Sequence, residues 1–485
     1  MSHNLEWFQK NKLLKSLFSG YFGLEIEEHR VQLDSQSLSQ HPHSQNLGNR
    51  RSNPYFQTDF SESQEEIITD KKPTTKDALS HLHELQTILV SELKDDEIIW
   101  PISMPPHLTK HDIDFLLTHF ERTWYQEYRD ILIDRYVYYQ HIMTGVHVNF
   151  SLLDELVKWF KAQSHISTDV EAKNKLYFQI AQQVSGYRWV LTYLFGAAPI
   201  SENIDDNLPD NRHEYEPVRS WRSSNFGFAN HPGILVDYET FELHVQQIKQ
   251  HIDQENFYDK SEFYGPVRMK ASGTMDDLVH NGVSYLEFRM FDIDPFSADG
   301  ISQNALSFLH LLILDAIVNP QEWSKENNKR ARDFNQIVSL KHPESELDDY
   351  LKNQIQQILS RMTEIIKLSP VDMRSDFEAA IKYVKESILD PRITIGANLS
   401  KKIVEDSLVT FAIQRGQDIL LQRQKIDNNF TLVPDHLKKT YIQAHKLGFK
   451  IIIRPDDRLQ ISYKGRDLVL TGEEDLSQLA KNNME

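Results

Sequence analysis

The sequence predicts an α+β protein in which polar-faced strands are followed by a long helical region. Three segments, at 23–31, 145–151 and 283–293, alternate apolar and polar residues with a period of two, which is typical of strands with one buried face. From Ser302 to about Leu447 the apolar residues recur at helical spacing instead. With 40% hydrophobic residues in a chain of 485, a large core can be buried.

The composition disfavours several classes of partner and site. A formal net charge of −18 disfavours nucleic acid and an anionic membrane surface. The chain contains no cysteine, which excludes disulfides, thiolate metal sites and a cysteine nucleophile, and fits a cytoplasmic protein. We expect no signal peptide, because the amphipathic segment 4–18 lacks an apolar core and a cleavage site. The apolar run 308–318 is too short to span a bilayer and predicts a buried helix.

The first polar-faced strand, 23–31, places Glu25 and Glu27 on one face and apolar residues on the other. Two carboxylates this close repel each other, so a fold that keeps them together needs a nearby positive charge. A divalent cation and a cluster of arginines are both candidates. A solvated acidic strand face is the ordinary alternative for so short a segment.

The elements that follow can be assigned in order. A loop rich in Ser, Asn, His and Pro spans 32–54, residues 55–69 resume ordered structure with several acidic side chains, and 77–93 has helical spacing. Three prolines within 100–106 exclude both helix and central strand there. We predict one helix over 111–139.

The second polar-faced strand, 145–151, is followed by helices predicted over 152–163 and 173–193 and by a polar loop over 201–230. Opposite its apolar face this strand presents His147, Asn149 and Ser151. His147 alone is equally consistent with a hydrogen-bonded core histidine and with a metal ligand.

The third polar-faced strand, 283–293, alternates most regularly of the three. Its polar face presents Tyr285, Glu287 and Arg289. After the helical region, short strands are predicted over 449–470.

Taken together, the three polar faces carry possible metal ligands beside arginines, whereas solvated strand faces usually carry Lys, Thr and Ser. Carboxylate and imidazole donors suit magnesium or manganese held together with phosphates. A face of metal, carboxylate and arginine is suited to stabilising charge in phosphoryl transfer. No Walker-type glycine-rich loop occurs, so a nucleotide would lie on the sheet itself.

Several segments are similar to the motifs of one enzyme family. The segments GLEIEEHRV, TDFSESQEEIIT, WPISMPP, GVHVNFSL, SWRSSNFGFAN and GVSYLEFRMFDIDPF occur in the order found in bacterial glutamate–cysteine ligases. The resemblance runs from about Phe22 to Phe296, and the helical section resembles the family more loosely. The segment 441–470 resembles the connector after the ligase module of bifunctional glutathione-synthesising enzymes, but no ATP-grasp domain follows. We therefore expect a stand-alone relative of that first module.

The resemblance implies a glutamine-synthetase-like fold, in which an antiparallel sheet is curled into a funnel with helices outside and a helical C-terminal part. It implies a ligase core with the funnel sheet at 1–320, a helical part of the same catalytic unit at 321–430, and a small connector-like C-terminal extension at 431–485.

The same resemblance implies ATP-dependent ligation of the γ-carboxylate of L-glutamate to the amine of L-cysteine through a γ-glutamyl phosphate. This reaction is the first step of glutathione synthesis. The expected cofactor is Mg²⁺, with Mn²⁺ as the alternative, and ATP is a substrate. A separate glutathione synthetase acting downstream is the expected partner.

Site residues are assigned by their match to the family's motifs. The matches to its metal ligands are Glu25, Glu27, Asp59, Glu66, His147 and Glu287. The matches to positions that face the transferred phosphate are Arg289, Arg129 and Arg268. Arg222 and Asn149 match positions near the glutamate substrate. Glu62 and Glu65 fit the ligand set less well, and we expect both to be solvated.

The pocket for the amine acceptor departs from the family's pattern. The matches to cysteine-contacting positions are Phe60, Tyr128, Leu132, His141, Phe228 and Tyr264. In enterobacterial relatives the counterpart of Phe228 is Tyr and that of His141 is Gln. Either the function is kept despite these changes or the ligase uses a different or broader amine. Because Phe228 offers an apolar wall, we expect 2-aminobutyrate and alanine to react alongside cysteine.

Two further alternatives are weaker. A catalytically silent homologue is disfavoured, because it would be expected to lose Glu27, Glu287 or Arg289, and all three are present. Phosphate transfer onto a guanidino group uses a related fold, but the GVHVNFSL and DFSESQ segments favour the ligase.

Overall fold

A computed structural model describes residues 2–120, 122–136, 138–203, 208–425, 429–463, 466–477 and 479. In those ranges the strands are β1 (Gly20–Gln32), β2 (Phe56–Thr58), β3 (Gln64–Ile68), β4 (Glu97–Trp100), β5 (Val146–Leu152), β6 (Val267–Lys270), β7 (Tyr285–Phe291), β8 (Ile451–Ile453), β9 (Leu459–Tyr463) and β10 (Arg466–Leu470). The first helices are α1 (His3–Lys10), α2 (Leu14–Phe18), α3 (Thr75–Val90), α4 (Lys110–Thr118), α5 (Gln126–Tyr136), α6 (Asp154–Gln163), α7 (Asp169–Gly186), α8 (Arg188–Phe195) and α9 (Phe241–Asp253). The remaining helices are α10 (Met275–Asn281), α11 (Gln303–Val318), α12 (Lys325–Leu340), α13 (Asp349–Lys367), α14 (Val371–Leu389), α15 (Ile395–Ser400), α16 (Val409–Arg423) and α17 (Lys438–Lys446).

The main sheet is antiparallel and has the strand order β2-β3-β1-β5-β7-β6, with β4 paired to the end of β1. The three polar-faced strands predicted from period-two alternation are the central ones, β1, β5 and β7. Strands β8, β9 and β10 form a separate small sheet. The predicted α+β class with an antiparallel sheet is therefore confirmed.

One face of the main sheet packs against helices. The apolar residues of β1, β5 and β7 are buried there in a large core that includes α11, whose residues from Ala305 to Val318 are all buried. The buried helix predicted over 308–318 is thus confirmed. Each such aliphatic side chain contributes about 1.5–3 kcal/mol by leaving water. No helix in the described ranges is both long and apolar enough to cross a bilayer.

A second, smaller hydrophobic cluster contains residues of α4, α5 and the loops around 104, 142 and 218–221. Helices α13 and α14 pack against α11, and α16 packs against β4. In α3 the carboxylate of Glu84 accepts hydrogen bonds from the backbone amides of Thr431 and Leu432 and from the Tyr441 hydroxyl. The C-terminal segment is therefore anchored to α3. The boundaries at 320 and 430 stay predictions.

Two helices predicted as continuous are interrupted. The helix predicted over 111–139 is wrong as a single element, because α4 ends where His119 adopts an extended backbone, at φ −112° and ψ 103°. The many aromatic residues of this stretch follow no single period, so their pattern did not reveal the break. The helix predicted over 173–193 breaks at Tyr187, just after Gly186, where a Cβ would overlap the Trp323 ring.

A buried histidine in α11 predicts an acid-dependent loss of stability. His310 lies between the rings of Phe22, at 4.9 Å, and Phe377, at 5.3 Å, and burial lowers the pKa of His310 to about 3. Below pH 6.5 the unfolded chain binds a proton that the folded chain does not, so stability falls as the pH falls. From pH 7.5 to pH 5 this one residue should cost about 2 kcal/mol of unfolding free energy, which His310→Leu should abolish.

Pulse proteolysis in urea at both pH values measures this difference. The matched control is substitution of the exposed His111 with Leu, which should follow the wild type. Equal losses of stability for His310→Leu and the wild type would contradict the expectation.

Candidate active site

The face of the main sheet opposite the helices gathers the polar residues of five strands. The register sets these cross-strand neighbours: Glu27 with Glu66, Glu25 with His147, and Asn149 with Glu287, which also neighbours Arg268. Because directly opposed side chains in an antiparallel pair lie close together, the pairing alone assembles a charged surface.

The centre of this surface is a group of three possible metal ligands. One ligand atom from each of Glu25, His147 and Glu287 lies within 4.8 Å of the others. Nδ1 of His147 is 3.5 Å from a Glu25 oxygen and 3.6 Å from a Glu287 oxygen, and its Nε2 is 3.7 Å from Glu27. Two ligands of one cation at about 2.0–2.1 Å can lie up to about 4.2 Å apart, so Nδ1 of His147 and the Glu25 and Glu287 oxygens are close enough to share an ion.

Both ring nitrogens of the buried His147 lack a hydrogen-bond partner among the described residues. This observation disfavours the interpretation of His147 as a hydrogen-bonded core histidine. Burial, together with the charge of Arg289, lowers the pKa of His147 to about 4. A neutral imidazole with an unused lone pair is the form that binds metal.

Three further predicted ligands lie beside this group. Burial, together with the charge of Asp59, raises the pKa of Glu27 to about 8. Burial also raises the pKa of Glu66 well above its ordinary value, with the charges of Asp59, Glu25 and Glu27 adding to it. The carboxylates repel one another strongly in the absence of a cation, which is the electrostatic property expected of a metal site.

Cations surround Glu287. Nη1 of Arg289 donates a 2.9 Å hydrogen bond to one Glu287 oxygen, and Lys270 Nζ is 3.3 Å from the other. Arg268 approaches the same oxygen at 3.8 Å. Burial acts to raise the pKa of Glu287, but these three cations together hold it well below its ordinary value.

Lys270 was not identified from the sequence. It lies on β6 two residues after Arg268, so period-two alternation places both cations on the same face of the sheet. That spacing is the signal that could have identified it.

We call the six predicted ligands, Glu25, Glu27, Asp59, Glu66, His147 and Glu287, the carboxylate group. Arg222 and Asn149 lie at its edge. The amide of Asn149 donates a 2.6 Å hydrogen bond to Glu25, and Arg222 donates one to the Phe291 carbonyl at 3.1 Å. The Arg222 guanidinium also lies directly over Gly145, where a Cβ would overlap it. Glycine at 145 is therefore required by the close approach of Arg222.

The six residues assigned to the acceptor pocket come together. Phe60, Leu132 and Tyr264 belong to the second hydrophobic cluster, with Tyr128 and Phe228 packed against it. The His141 ring stacks on Phe60 at 4.9 Å and meets the Tyr264 ring at 5.8 Å. We call these six residues the acceptor cluster.

Arg289 joins the acceptor cluster to the carboxylates. Its guanidinium carbon lies 4.9 Å from the centroid of the Phe228 ring, while its Nη1 bonds Glu287. Arg129 packs against the acceptor cluster at Phe60. Its Nε donates to the Phe60 carbonyl at 2.9 Å, and its guanidinium lies between the rings of Phe60 and Phe120.

The predicted solvation of Glu62 and Glu65 is wrong, because both carboxylates are buried. Glu62 is paired with Arg50, and Glu65 accepts a 2.7 Å hydrogen bond from Arg30 and lies 2.6 Å from His43. These ion pairs compensate the burial of the charges, so neither carboxylate is available to a metal.

A second group with metal-ligand chemistry consists of Asp70, His81 and His445. The Asp70 backbone amide donates to Nδ1 of His81 at 3.3 Å, which leaves the proton of that ring on Nε2. That Nε2 lies 3.0 Å from Nε2 of His445, whose Nδ1 lies 3.0 Å from the Tyr441 carbonyl. Since every ring nitrogen is used, we interpret this pair as a contact between α3 and α17 and not as a metal site.

A cavity of about 60 Å³ lies between α9 and β6, beside the cations of the carboxylate group. Its lining includes Lys260, Arg268 and Lys270 together with the apolar side chains of Ile248, Phe263 and Met275. Cations and apolar side chains therefore line one small cavity beside Glu287.

Comparisons with known proteins identify one family. A family model described as glutamate-cysteine ligase matches residues 5–260 and 233–338. A glutathione biosynthesis bifunctional protein from Streptococcus agalactiae serotype V is 32% identical over 402 residues, covering 82% of this chain and 52% of the relative. The corresponding protein of Listeria monocytogenes serotype 4b is 30% identical over 437 residues, covering 86% and 56%. The chain thus spans about half the length of these curated relatives.

Two solved structures are similar. The crystal structure of a bifunctional glutathione synthetase from Pasteurella multocida matches with a TM-score of 0.86 and 25% identity, covering 97% of this chain and 62% of that one. The glutamate–cysteine ligase of Francisella tularensis, in complex with AMP, matches with a TM-score of 0.73, covering 88% of this chain and 92% of that one. At 21% identity, the second likeness shows the fold alone.

Proposed function

The chain belongs to the glutamate–cysteine ligase family, and from that premise we propose that it joins the γ-carboxylate of L-glutamate to the amine of L-cysteine at the expense of ATP. The reaction would pass through a γ-glutamyl phosphate. The observation that carries the proposal is the position of Arg289, which bonds Glu287 in the carboxylate group and lies over Phe228 in the acceptor cluster. A phosphoryl group and an amine could therefore meet at one side chain.

The donor set fits a divalent cation. The unpartnered nitrogens of His147 and the close approach of four acidic side chains would be costly without one. We propose that the ligands are Glu25, Glu27, Asp59, Glu66, His147 and Glu287. Carboxylates outnumber imidazole in this set, which favours Mg²⁺, with Mn²⁺ as the alternative. When bound, the cation would supply positive charge that offsets the repulsion between the phosphates and the glutamate carboxylate.

The residues of the chain supply the remaining charge stabilisation. The planar guanidinium of Arg289 can bond two phosphate oxygens at once. Arg268 lies 3.8 Å from the Glu287 carboxylate that Arg289 bonds, so both arginines would face the same phosphate. Arg129 stays a prediction as a phosphate-facing residue, since its described contacts are with Phe60 and Phe120. We assign Lys270 to the phosphates as well, because its Nζ lies 3.3 Å from Glu287.

Arg222 and Asn149 are assigned to the glutamate substrate. Arg222 is buried and its nearest acidic partner, Asp292, is 3.4 Å away, so its guanidinium can still bind a carboxylate. The acceptor cluster would then hold the side chain of the incoming amino acid. Because Phe228 presents an apolar ring, a different or broader amine acceptor is the alternative function.

The proposal predicts that ADP release requires glutamate, an amino acid acceptor and a divalent metal together. Purified protein with ATP is assayed by a coupled ADP assay, with each of the three components omitted in turn. Each omission should reduce the rate to background. Without glutamate or metal no γ-glutamyl phosphate forms, and without an amine it stays on the enzyme and blocks the next turnover. ATP turnover that is indifferent to glutamate would contradict the proposal. The downstream synthetase and the cytoplasmic location stay predictions.

A further inference from the structure

A cavity of about 440 Å³ lies between α12 and the loop 225–238, with Arg188, the first residue of α8, in its wall. We call this space the α8–α12 cavity. Among its described lining residues, none belongs to the carboxylate group, and Tyr264 is the one member of the acceptor cluster. The cavity is therefore separate from the proposed active site, and its volume falls in the range of small-molecule sites, about 300–1,000 Å³.

Arg188 is the charged residue of this lining that has no acidic partner. Its Nη2 donates a 2.9 Å hydrogen bond to the Ser223 carbonyl, while its buried Nε has no hydrogen-bond partner among the described residues. The other charged side chains of the described lining are paired, Arg332 with Asp237 at 2.7 Å and Asp333 with Lys329 at 2.6 Å. The lining therefore offers one guanidinium that an anion can still bind.

The surroundings of Arg188 hold more positive than negative charge. Burial, together with the charge of Arg222, lowers the pKa of Arg188 to about 10, so the guanidinium stays protonated at neutral pH. The carboxylate that acts on Arg188, Asp292, lies 3.4 Å from Arg222 and accepts a 2.7 Å hydrogen bond from the Ala197 amide. Two guanidinium groups thus share one carboxylate. Because an uncompensated buried charge is costly, an anion in the cavity would be held strongly.

Much of the remaining lining is apolar, and part of it faces solvent. Leu235 is 49% exposed and Ile337 is 47% exposed, and both line the cavity together with Ile234, Val236 and Phe263. Apolar side chains around a cavity that also holds a few polar groups are typical of ligand sites. A ligand that fits this lining has one negative charge and an apolar body.

We propose that the α8–α12 cavity binds an organic monoanion, a carboxylate whose charge pairs with Arg188 and whose apolar chain lies against Leu235 and Ile337. One guanidinium matches the single charge of a carboxylate better than the charge of about −1.5 to −2 on a phosphate monoester. The inference does not depend on the ligase reaction, since Arg188, Leu235 and Ile337 are assigned to no substrate of that reaction.

The test is calorimetric binding to the full chain in the absence of ATP and amino acids, with octanoate, 1-octanol and octyl phosphate as probes. Octanoate should bind about tenfold or more tightly than 1-octanol, because only octanoate forms a charged hydrogen bond. Arg188→Met should remove that difference by weakening octanoate about tenfold or more. The matched control is Arg330→Met, which alters an exposed arginine of α12 outside the described lining and should bind octanoate like the wild type.

A second pair of variants avoids the interior and decides the outcome if Arg188→Met does not fold. Ile337→Glu puts a negative charge at the exposed edge of the cavity and should weaken octanoate binding about threefold or more, whereas Ile337→Lys should not weaken it.

Octanoate that does not bind the wild type, or that binds no more tightly than 1-octanol, overturns the proposal. Octyl phosphate that binds more tightly than octanoate overturns the assignment to a monoanion. If Arg188→Met instead raises the KM for glutamate and the wild type does not bind octanoate, Arg188 supports the charge of Arg222 and the cavity is not a ligand site. The ligase function is tested separately by ADP release, so the two can fail independently.

Discussion

Replacing Arg289 with Lys is expected to lower turnover by about a hundredfold or more in a protein that remains folded. Arg289 uses Nη1 for a 2.9 Å bond to Glu287, and its Nε has no partner among the described residues. A guanidinium can hold this carboxylate and still present other N–H groups to a phosphate. A lysine ammonium is a compact charge that cannot reproduce this planar, two-pronged geometry.

The rate of ADP release at saturating glutamate and cysteine measures this effect, with thermal unfolding as the test of folding. The matched control is Arg392→Lys, which alters an exposed arginine bonded to Asp390 at 2.8 Å and should leave turnover unchanged. Turnover of a folded Arg289→Lys near that of the control would mean that the arginine does not contact the reacting phosphate.

The strand faces could be predicted from the sequence because alternation fixes them one residue at a time. Val146 and Val148 had to share a face, which placed His147 and Asn149 on the other, and the structure has both arrangements. The register could not be predicted. It is the pairing of Glu25 with His147 and of Asn149 with Glu287 that turns three separate polar faces into one site.

The sequence of the acidic segment 59–66 could not show which of its carboxylates are paired with cations. Glu65 and Glu66 are adjacent, yet Glu65 is bound to Arg30 and His43 while Glu66 faces the carboxylate group. Which of them is neutralised depends on cations that the fold brings in from other segments. The spacing of residues along the chain does not show such contacts.

The acceptor cluster was assigned by resemblance, and spacing could not have found it. Its members range from Phe60 to Tyr264 along the chain and meet only because α5 packs beside the loops that carry His141 and Phe228.

Glu287→Gln is expected to weaken divalent metal binding by about tenfold or more, because one charged ligand of the group is lost. The substitution also removes the negative charge that Arg289, Arg268 and Lys270 share, so these three cations lose their common partner. Breaking a buried ion pair in this way costs about 3–5 kcal/mol of stability whether or not a metal binds there. Stability alone therefore cannot identify a ligand, and metal binding has to be measured directly.

Binding of Mn²⁺, followed by the loss of the free-ion electron paramagnetic resonance signal, makes that distinction without reference to activity. The matched control is Glu97→Gln, which removes another buried carboxylate of the same sheet, bonded to Arg30 at 2.6 Å and outside the proposed ligand set. Both variants should lose stability, since each removes a buried carboxylate that bonds an arginine. Only Glu287→Gln should shift the Mn²⁺ titration to higher concentration. If the titration of Glu287→Gln coincides with those of Glu97→Gln and the wild type, Glu287 is not a metal ligand.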